Sequence, residues 1–160
     1  MSQTVLITGA SNGIGKACAR VFARKGYDLV LVARHREKLE AVKAELSEYD
    51  VHIKVVVMDL TGEDAAVDLY NDLVLDDISI DILVNNAGFG DHGAFHDSSW
   101  EKQKKMVLLN IMALMQMTYV FGQSMKRRKK GRILNVASIA GLCAGPYMST
   151  YYATKAFVLS

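Results

Sequence analysis

A doubly wound α/β sheet, with parallel strands covered by helices on both faces, is the fold class that this 160-residue sequence predicts. Three observations carry the prediction. Short segments rich in Val, Ile and Leu alternate with segments of helical period along the whole length. Those apolar segments are nearly continuous in hydrophobicity, as strands buried on both faces are. A glycine-rich turn, Gly9 to Gly15, joins the first strand to the first helix. Such alternation implies parallel neighbours joined by right-handed crossovers.

Thr4 to Thr8 reads as the first strand, and Ile14, Ala17, Cys18, Val21 and Phe22 form the apolar stripe of the helix after it. Asp28 to Ala33 is the second strand, followed by a stripe of Leu39, Val42, Leu46 and Tyr49. His52 to Val57 is the third, followed by Ala66, Tyr70, Leu73 and Val74. Ile82 to Asn85 is the fourth, and a long apolar helix then runs from about Ser99 to Met125. Its Met106, Met112, Met115 and Met117 read as soft core or interface packing, not as a ligand box. Ile133 to Val136 is the fifth strand, and the last helix carries Tyr151 and Lys155. Thr61 with Asp64, and Ser98 with Glu101, have capping-box spacing at two helix starts. The run Lys126-Arg127-Arg128-Lys129-Lys130 before Gly131 reads as a solvated helix end terminated by the glycine. With one Pro and no repeats or linker, residues 1–160 read as a single domain.

Composition narrows the function classes. A hydrophobic share of 51% supports one real core, while a net charge of +2 is too small for a general attraction to nucleic acid. Cys18 and Cys143 are too few and too far apart for a zinc site or a disulfide framework, so no metal is expected. Met1 leads straight into polar Ser2-Gln3, which shows no signal peptide, and no apolar stretch reads as long enough to span a bilayer. The expectation is a cytoplasmic setting without membrane or nucleic-acid partners.

Two motifs carry chemistry. In Thr8-Gly9-Ala10-Ser11-Asn12-Gly13-Ile14-Gly15, glycines let the backbone approach a phosphate, and the following helix offers unpaired N–H groups and its positive dipole end. A plain structural turn is the alternative, and the strand before and helix after weigh against it. At the end of the second strand stands Ala33-Arg34-His35-Arg36, with no carboxylate to bind a ribose 2′-hydroxyl. Arg34 suits a 2′-phosphate, whereas Arg36 reads as a surface residue at a helix start.

The second motif is Ser138 followed thirteen residues later by Tyr151, with Lys155 one helical turn beyond. A phenol titrates near 10, so proton transfer near neutrality asks for a shift of about 3 units, or roughly 4 kcal/mol. An ammonium at i+4 supplies part of it, and of Tyr147, Tyr151 and Tyr152 only Tyr151 has a Lys there. The bare pair would fit any amphipathic helix. Ser138 changes that, because it follows a strand and so lies at the carboxyl end of the sheet, where open α/β folds bind ligands.

Together these motifs resemble the short-chain dehydrogenase/reductase family, from about residue 3 to the last. The resemblance implies a Rossmann fold and hydride transfer between a nicotinamide cofactor and a carbonyl or secondary alcohol, with Tyr151 as acid/base. It implies a catalytic set of Asn110, Ser138, Tyr151 and Lys155. It places Gly9, Ser11, Asn12, Gly13, Ile14, Gly15, Arg34, Asp59, Leu60, Asn86, Ala87 and Gly88 at the cofactor, with Tyr151 and Lys155. Asp59-Leu60 would hold adenine, although a turn role for Asp59 is equally open. In Asn85-Asn86-Ala87-Gly88 the first Asn would be structural. Arg34 makes NADP the expected cofactor over NAD. The long helix would pair with its copy in a homo-oligomer, a dimer or tetramer.

Phe89 to Phe95 should border the substrate, with His92 either an exposed loop residue or a proton donor, and Cys143 lining the pocket. Relatives continue past the Tyr-x-x-x-Lys helix. The expectation is therefore that these residues are part of a longer polypeptide, with the fifth strand an unpaired and association-prone edge. The rival reading is a nucleotide-binding fragment or regulatory module that lacks a complete substrate pocket and does not turn over.

Overall fold

The computed structural model describes residues 2–160; Met1, on which part of the N-terminal reading rests, lies outside them. Its centre is one parallel sheet in the order β3-β2-β1-β4-β5. The strands are β1 (Thr4–Thr8), β2 (Asp28–Ala33), β3 (Ile53–Val57), β4 (Ile82–Asn85) and β5 (Arg132–Asn135). Strand β1 pairs in parallel with β2 from Thr4↔Asp28 to Thr8↔Val32 and with β4 from Val5↔Ile82 to Ile7↔Val84. The chain order reverses between β1 and β4, so the loops leaving those two strands diverge and open a crevice at their carboxyl ends.

Residue alternation along the strands divides the core in two. Val5, Ile7, Leu29, Leu31 and Val84 face helices α1 (Gly13–Arg24) and α2 (Arg36–Glu45) through Ala19, Ala23, Leu39, Val42 and Leu46. Leu6, Val30, Val32 and Leu83 face α3 (Ala65–Leu75) and the long helix through Leu69, Leu73, Met117 and Phe121. The long helix consists of α4 (Trp100–Val107), a π-helical segment Leu108–Ala113, and α5 (Leu114–Arg128). The last helix, α6 (Ser149–Leu159), lies beyond β5.

Several local expectations are corrected. The α1 stripe is rotated: Ile14 and Val21 are exposed, whereas Gly15, Ala19 and Ala23 are buried, because only small residues fit that close to the sheet. In α3, Leu69 is buried and Val74 is exposed. Neither capping box forms. Thr61 Oγ1 donates to Asp59 Oδ1 instead, Ser98 Oγ donates to Ala94 O, and the residues preceding the helices are Asp64 and Ser99. The basic helix ends with Lys129 in the left-handed region, φ 53°, and not with Gly131. Cations of that run have partners: Arg128 Nη1 (3.4 Å) and Lys130 Nζ (2.9 Å) reach Asp81, whose Oδ2 also accepts from Thr4 N–H. Burial opposes ionisation of Asp81, but those donors outweigh it and hold its carboxyl below the usual range.

Contrary to the expectation about membrane spans, Trp100–Arg128 is long and apolar enough to cross a bilayer. In this fold it is one helical layer on the sheet, with Met106, Ala113, Met117, Phe121 and Met125 buried and the amide of Asn110 enclosed. Met112, Met115 and Tyr119 on its outer side are exposed. They line a groove of ≈ 580 Å³ with Leu60, Thr61 and Leu108. Among the described residues β5 pairs on one side only, with Ile133 and Leu134 exposed.

Candidate active site

The crevice holds two adjoining clefts. One, of ≈ 290 Å³, runs from Gly9, Ser11 and Asn12 past Arg34 and Lys38 to Met58, Asp59 and Leu60. The other, of ≈ 270 Å³, runs from Gly13 and Ile14 across Ala87, Gly88 and Gly90 to Val136, Tyr151 and Lys155. They share Gly9, Asn12, Ala87, Gly88 and Phe89.

The turn between β1 and α1 leaves backbone groups open to the cleft. Gly13 has φ +50°, and a Cβ placed there would meet no protein atom within 4 Å, so its open side belongs to the cleft. Asn12 precedes the helix with extended backbone and no side-chain cap, leaving the first-turn N–H groups without a side-chain acceptor. Gly15, expected at the cofactor, is not among the residues that line either cleft. A Cβ there would lie 2.3 Å from Gly9 O and 2.6 Å from Asn86 Nδ2, so it allows the helix to close onto the loop and stands behind the wall. Asn86 Nδ2 donates to Thr8 O (3.0 Å) and Gly9 O (3.2 Å), while Thr8 Oγ1 accepts from the N–H groups of Asn86 and Ala87. The two loops are thus stitched together before any ligand arrives. Asn85 is buried and structural, donating to Thr118 Oγ1 and Asn135 Oδ1 at 3.0 Å each.

At the far end, Asp59 adopts a turn role: its Oδ1 accepts from Thr61 N–H (3.0 Å) and Oγ1 (2.9 Å). Burial opposes its charge, yet these bonds and the Arg34 guanidinium outweigh it and keep the carboxyl ionised below its ordinary range. Arg36 is exposed and reaches Glu40 at 3.9 Å. Lys38, Met58 and Leu109 line this cleft and escaped the sequence reading. For Lys38 a signal was present, since it stands four residues beyond Arg34.

At the near end, Lys155 is buried to 7% exposure. Burial pushes its ammonium below the ordinary lysine value. Its Nζ donates to Val136 O at 2.8 Å and stands 5.9 Å from the centre of the Tyr151 ring. Ser138 follows β5 and its Oγ accepts from Ala140 N–H at 3.2 Å, leaving the hydroxyl proton available. Asn110 is 1% exposed within the π-helical segment, where its Oδ1 accepts from Phe89 N–H and its Nδ2 donates to Phe89 O and Thr154 Oγ1. Tyr151 and Lys155 therefore line the cleft, and Asn110 stands behind it. His92 is an exposed loop residue stacked on Tyr147, with ring centres 5.7 Å apart. Cys143 does not line the crevice. It borders a separate concavity with Gly145, Tyr152 and Ala156, on the side of α6 away from Tyr151 and Lys155.

Residues 3–160 match the short chain dehydrogenase family. The chain belongs to that family. Among its similar proteins, a very-long-chain 3-oxoacyl-CoA reductase of Anas platyrhynchos is 37% identical, over 96% of this chain and 50% of the relative. The 17-beta-hydroxysteroid dehydrogenase type 3 of Mus musculus is 39% identical, over 99% of this chain and 52% of the relative. A solved short-chain dehydrogenase from Sphingobium yanoikuyae in complex with NADPH superposes with a TM-score of 0.91 at 40% identity, covering 98% of this chain and 62% of that one. The chain spans about half the length of the curated relatives it matches. The parallel sheet and flanking helices are the Rossmann-type fold that the resemblance implied.

Proposed function

We propose that this short-chain dehydrogenase is an NADP-dependent oxidoreductase that interconverts a carbonyl and a secondary alcohol, with Tyr151 as its acid/base. The observation that carries the reading is the convergence of Gly13, Gly88, Tyr151 and Lys155 on one cleft at the carboxyl end of the sheet. The cradle fits a dinucleotide: the open side of Gly13 and the uncapped start of α1 suit a pyrophosphate. Arg34 and Lys38 supply two cations where a 2′-phosphate would lie, and the Asp59 carboxylate in the same cleft is turned to Thr61. Asp59 and Leu60 border the adenine end. The reduced nicotinamide, when bound, supplies the hydride.

The remaining chemistry belongs to the chain. Ser138 directs its hydroxyl proton to the substrate oxygen, stabilising the charge that develops there. Tyr151 delivers the proton to that oxygen in reduction and removes it in oxidation. Lys155, anchored on Val136 O, holds a cation beside the phenol and within reach of a ribose. The relatives' names make ketones on large apolar frames, acyl or steroid, the first substrates to try. The exposed face of Met112, Met115 and Tyr119 is the surface on which two copies would pair.

A ketone panel with NADPH or NADH, followed at the reduced-nicotinamide absorbance, tests the reading. Arg34→Ala should weaken NADPH selectively, by about 1.5–3 kcal/mol for a charged hydrogen bond. Tyr151→Phe should abolish turnover and spare the fold. Equal affinity for both cofactors, or an active Tyr151→Phe, overturns it. Cofactor binding without turnover by the unmutated chain would favour the nucleotide-binding module.

A further inference from the structure

We propose that Thr154, between Tyr151 and Lys155 on α6, is the positioning residue that locks the proton donor's helix to the cofactor loop. The inference rests on the oxidoreductase reading of the same site. Thr154 is 1% exposed, and its hydroxyl is used twice. Oγ1 donates to Tyr151 O at 2.8 Å and accepts from Asn110 Nδ2 at 3.0 Å. A threonine that bonds back to the preceding turn is common in helices and usually only local. Here the second bond leaves the helix.

Asn110 continues the connection. Its Nδ2 also donates to Phe89 O at 2.9 Å, and its Oδ1 accepts from Phe89 N–H at 3.1 Å. The amide group therefore grips both polar atoms of one peptide residue immediately after Gly88. Its two N–H groups are fully used, one on Phe89 and one on Thr154. A Cβ on Gly88 would sit 3.0 Å from Asn110 Oδ1 and 3.8 Å from Lys155 Nζ, which shows how closely loop, amide and ammonium approach. The π-helical segment brings Asn110 into this position by adding a residue to one turn. Three elements far apart in sequence thus meet at one side-chain amide: the loop after β4, the π-helical turn and α6.

The consequence is mechanical. Removing the hydroxyl leaves one buried Asn110 N–H without an acceptor and frees the amide to turn, so its two bonds to Phe89 loosen together. The loop that carries Gly88 and Gly90 then drifts relative to Tyr151. Displacements of about 1 Å at a reacting centre lower rates by up to about a hundredfold, while ground-state binding changes little. Thr154 is not among the residues that line either cleft, and it acts through Asn110 and Tyr151.

The test compares Thr154→Val, which keeps the shape, with Thr154→Ser, which keeps the hydroxyl. Ketone reduction with NADPH is measured with backbone amide exchange at Phe89. The valine variant should lose about tenfold or more in kcat with KM changed less than about twofold, and Phe89 N–H should exchange at least about tenfold faster. Core amides such as Leu6 and Leu31 should be unaffected, and serine should restore both quantities. A valine variant with unchanged kcat and a protected Phe89, or a defect that serine does not repair, overturns the proposal. If the unmutated chain reduces no ketone, the oxidoreductase reading fails separately. Phe89 exchange then decides the lock: release by valine with recovery by serine upholds it, and no change overturns it. Should valine unfold the protein, Thr154→Cys reads the same quantities.

Discussion

Gly15→Ala sets two physical effects against each other at one atom. On helical propensity alone the change should stabilise, because alanine is about 0.5–1 kcal/mol better than glycine in a helix interior. The structure opposes it. The added methyl would lie 2.3 Å from Gly9 O and 2.6 Å from Asn86 Nδ2, distances that force the helix or the loop to move. Overpacking of this kind costs about 1–3 kcal/mol. Displacing Asn86 also endangers its bonds to Thr8 O and Gly9 O, each contributing about 1 kcal/mol. Steric and hydrogen-bond losses therefore exceed the propensity gain, and a net destabilisation of about 2–4 kcal/mol is expected. Urea denaturation followed by far-ultraviolet circular dichroism measures it, with an unchanged m-value showing that the unfolded state is the same. Gly13→Ala is the control: it meets no atom and should lose only the left-handed backbone cost of about 1–2 kcal/mol. A Gly15→Ala protein as stable as the parent, or a larger loss at Gly13, would show that the close approach is not what the glycine serves.

Other expectations follow from charge and exposure. Asp81→Asn should cost about 1.5–3 kcal/mol, since the carboxylate accepts charge-assisted bonds from Arg128 and Lys130. Because the folded pKa of Asp81 is depressed, its contribution is present above the ordinary aspartate value and is lost as pH falls through the folded one. Melting temperatures taken between about pH 5 and 3 should therefore fall less steeply in the variant than in the parent. Lys155→Met should raise the stability of the ligand-free protein, because burial lowers the lysine pKa and the charged group opposes folding at neutral pH. Its urea midpoint should rise while NADPH affinity drops; a lower midpoint would contradict the sign. Tyr119→Glu, on the exposed face of the long helix, should shift sedimentation toward the monomer without altering the circular dichroism spectrum.

The sheet was legible because both faces of each inner strand are covered, which turns Val5-Leu6-Ile7 and Leu29-Val30-Leu31 into unbroken apolar runs. That Tyr151 and Lys155 share one helix face was legible for a related reason, since spacing along a helix is local information; Ser138 follows β5 but is not among the residues that line the cleft. What escaped was whatever depends on close approach between distant segments. The apolar period of α1 pointed to Ile14 and Val21, yet the buried face belongs to Gly15, Ala19 and Ala23, where size and not hydrophobicity decides. Lys38 and Met58 reach the cleft by tertiary placement, and Thr61 prefers Asp59 to the helix start it was expected to cap. Asn110 was found by its likeness to a family pattern. Its partner Thr154 carries no signal in the sequence, because a threonine on a helix has many uses.

The stitching of the loops after β1 and β4 has a consequence for how the chain reaches its native state. Thr8 and Asn86 are 78 residues apart, and the Asn110–Thr154 bond spans another 44. Every strand pair in the sheet is parallel, so none can form by a local hairpin. The central strand β1 is made before its neighbours and must wait for β4 to cover its second edge. Closing such large loops costs entropy before any contact repays it, which places this topology among slow folders. The crevice is complete only when its most distant segments meet. A ligand that bridges Gly13, Gly88 and Lys155 would tie those late-arriving segments together, coupling the rate of unfolding to occupancy of the crevice.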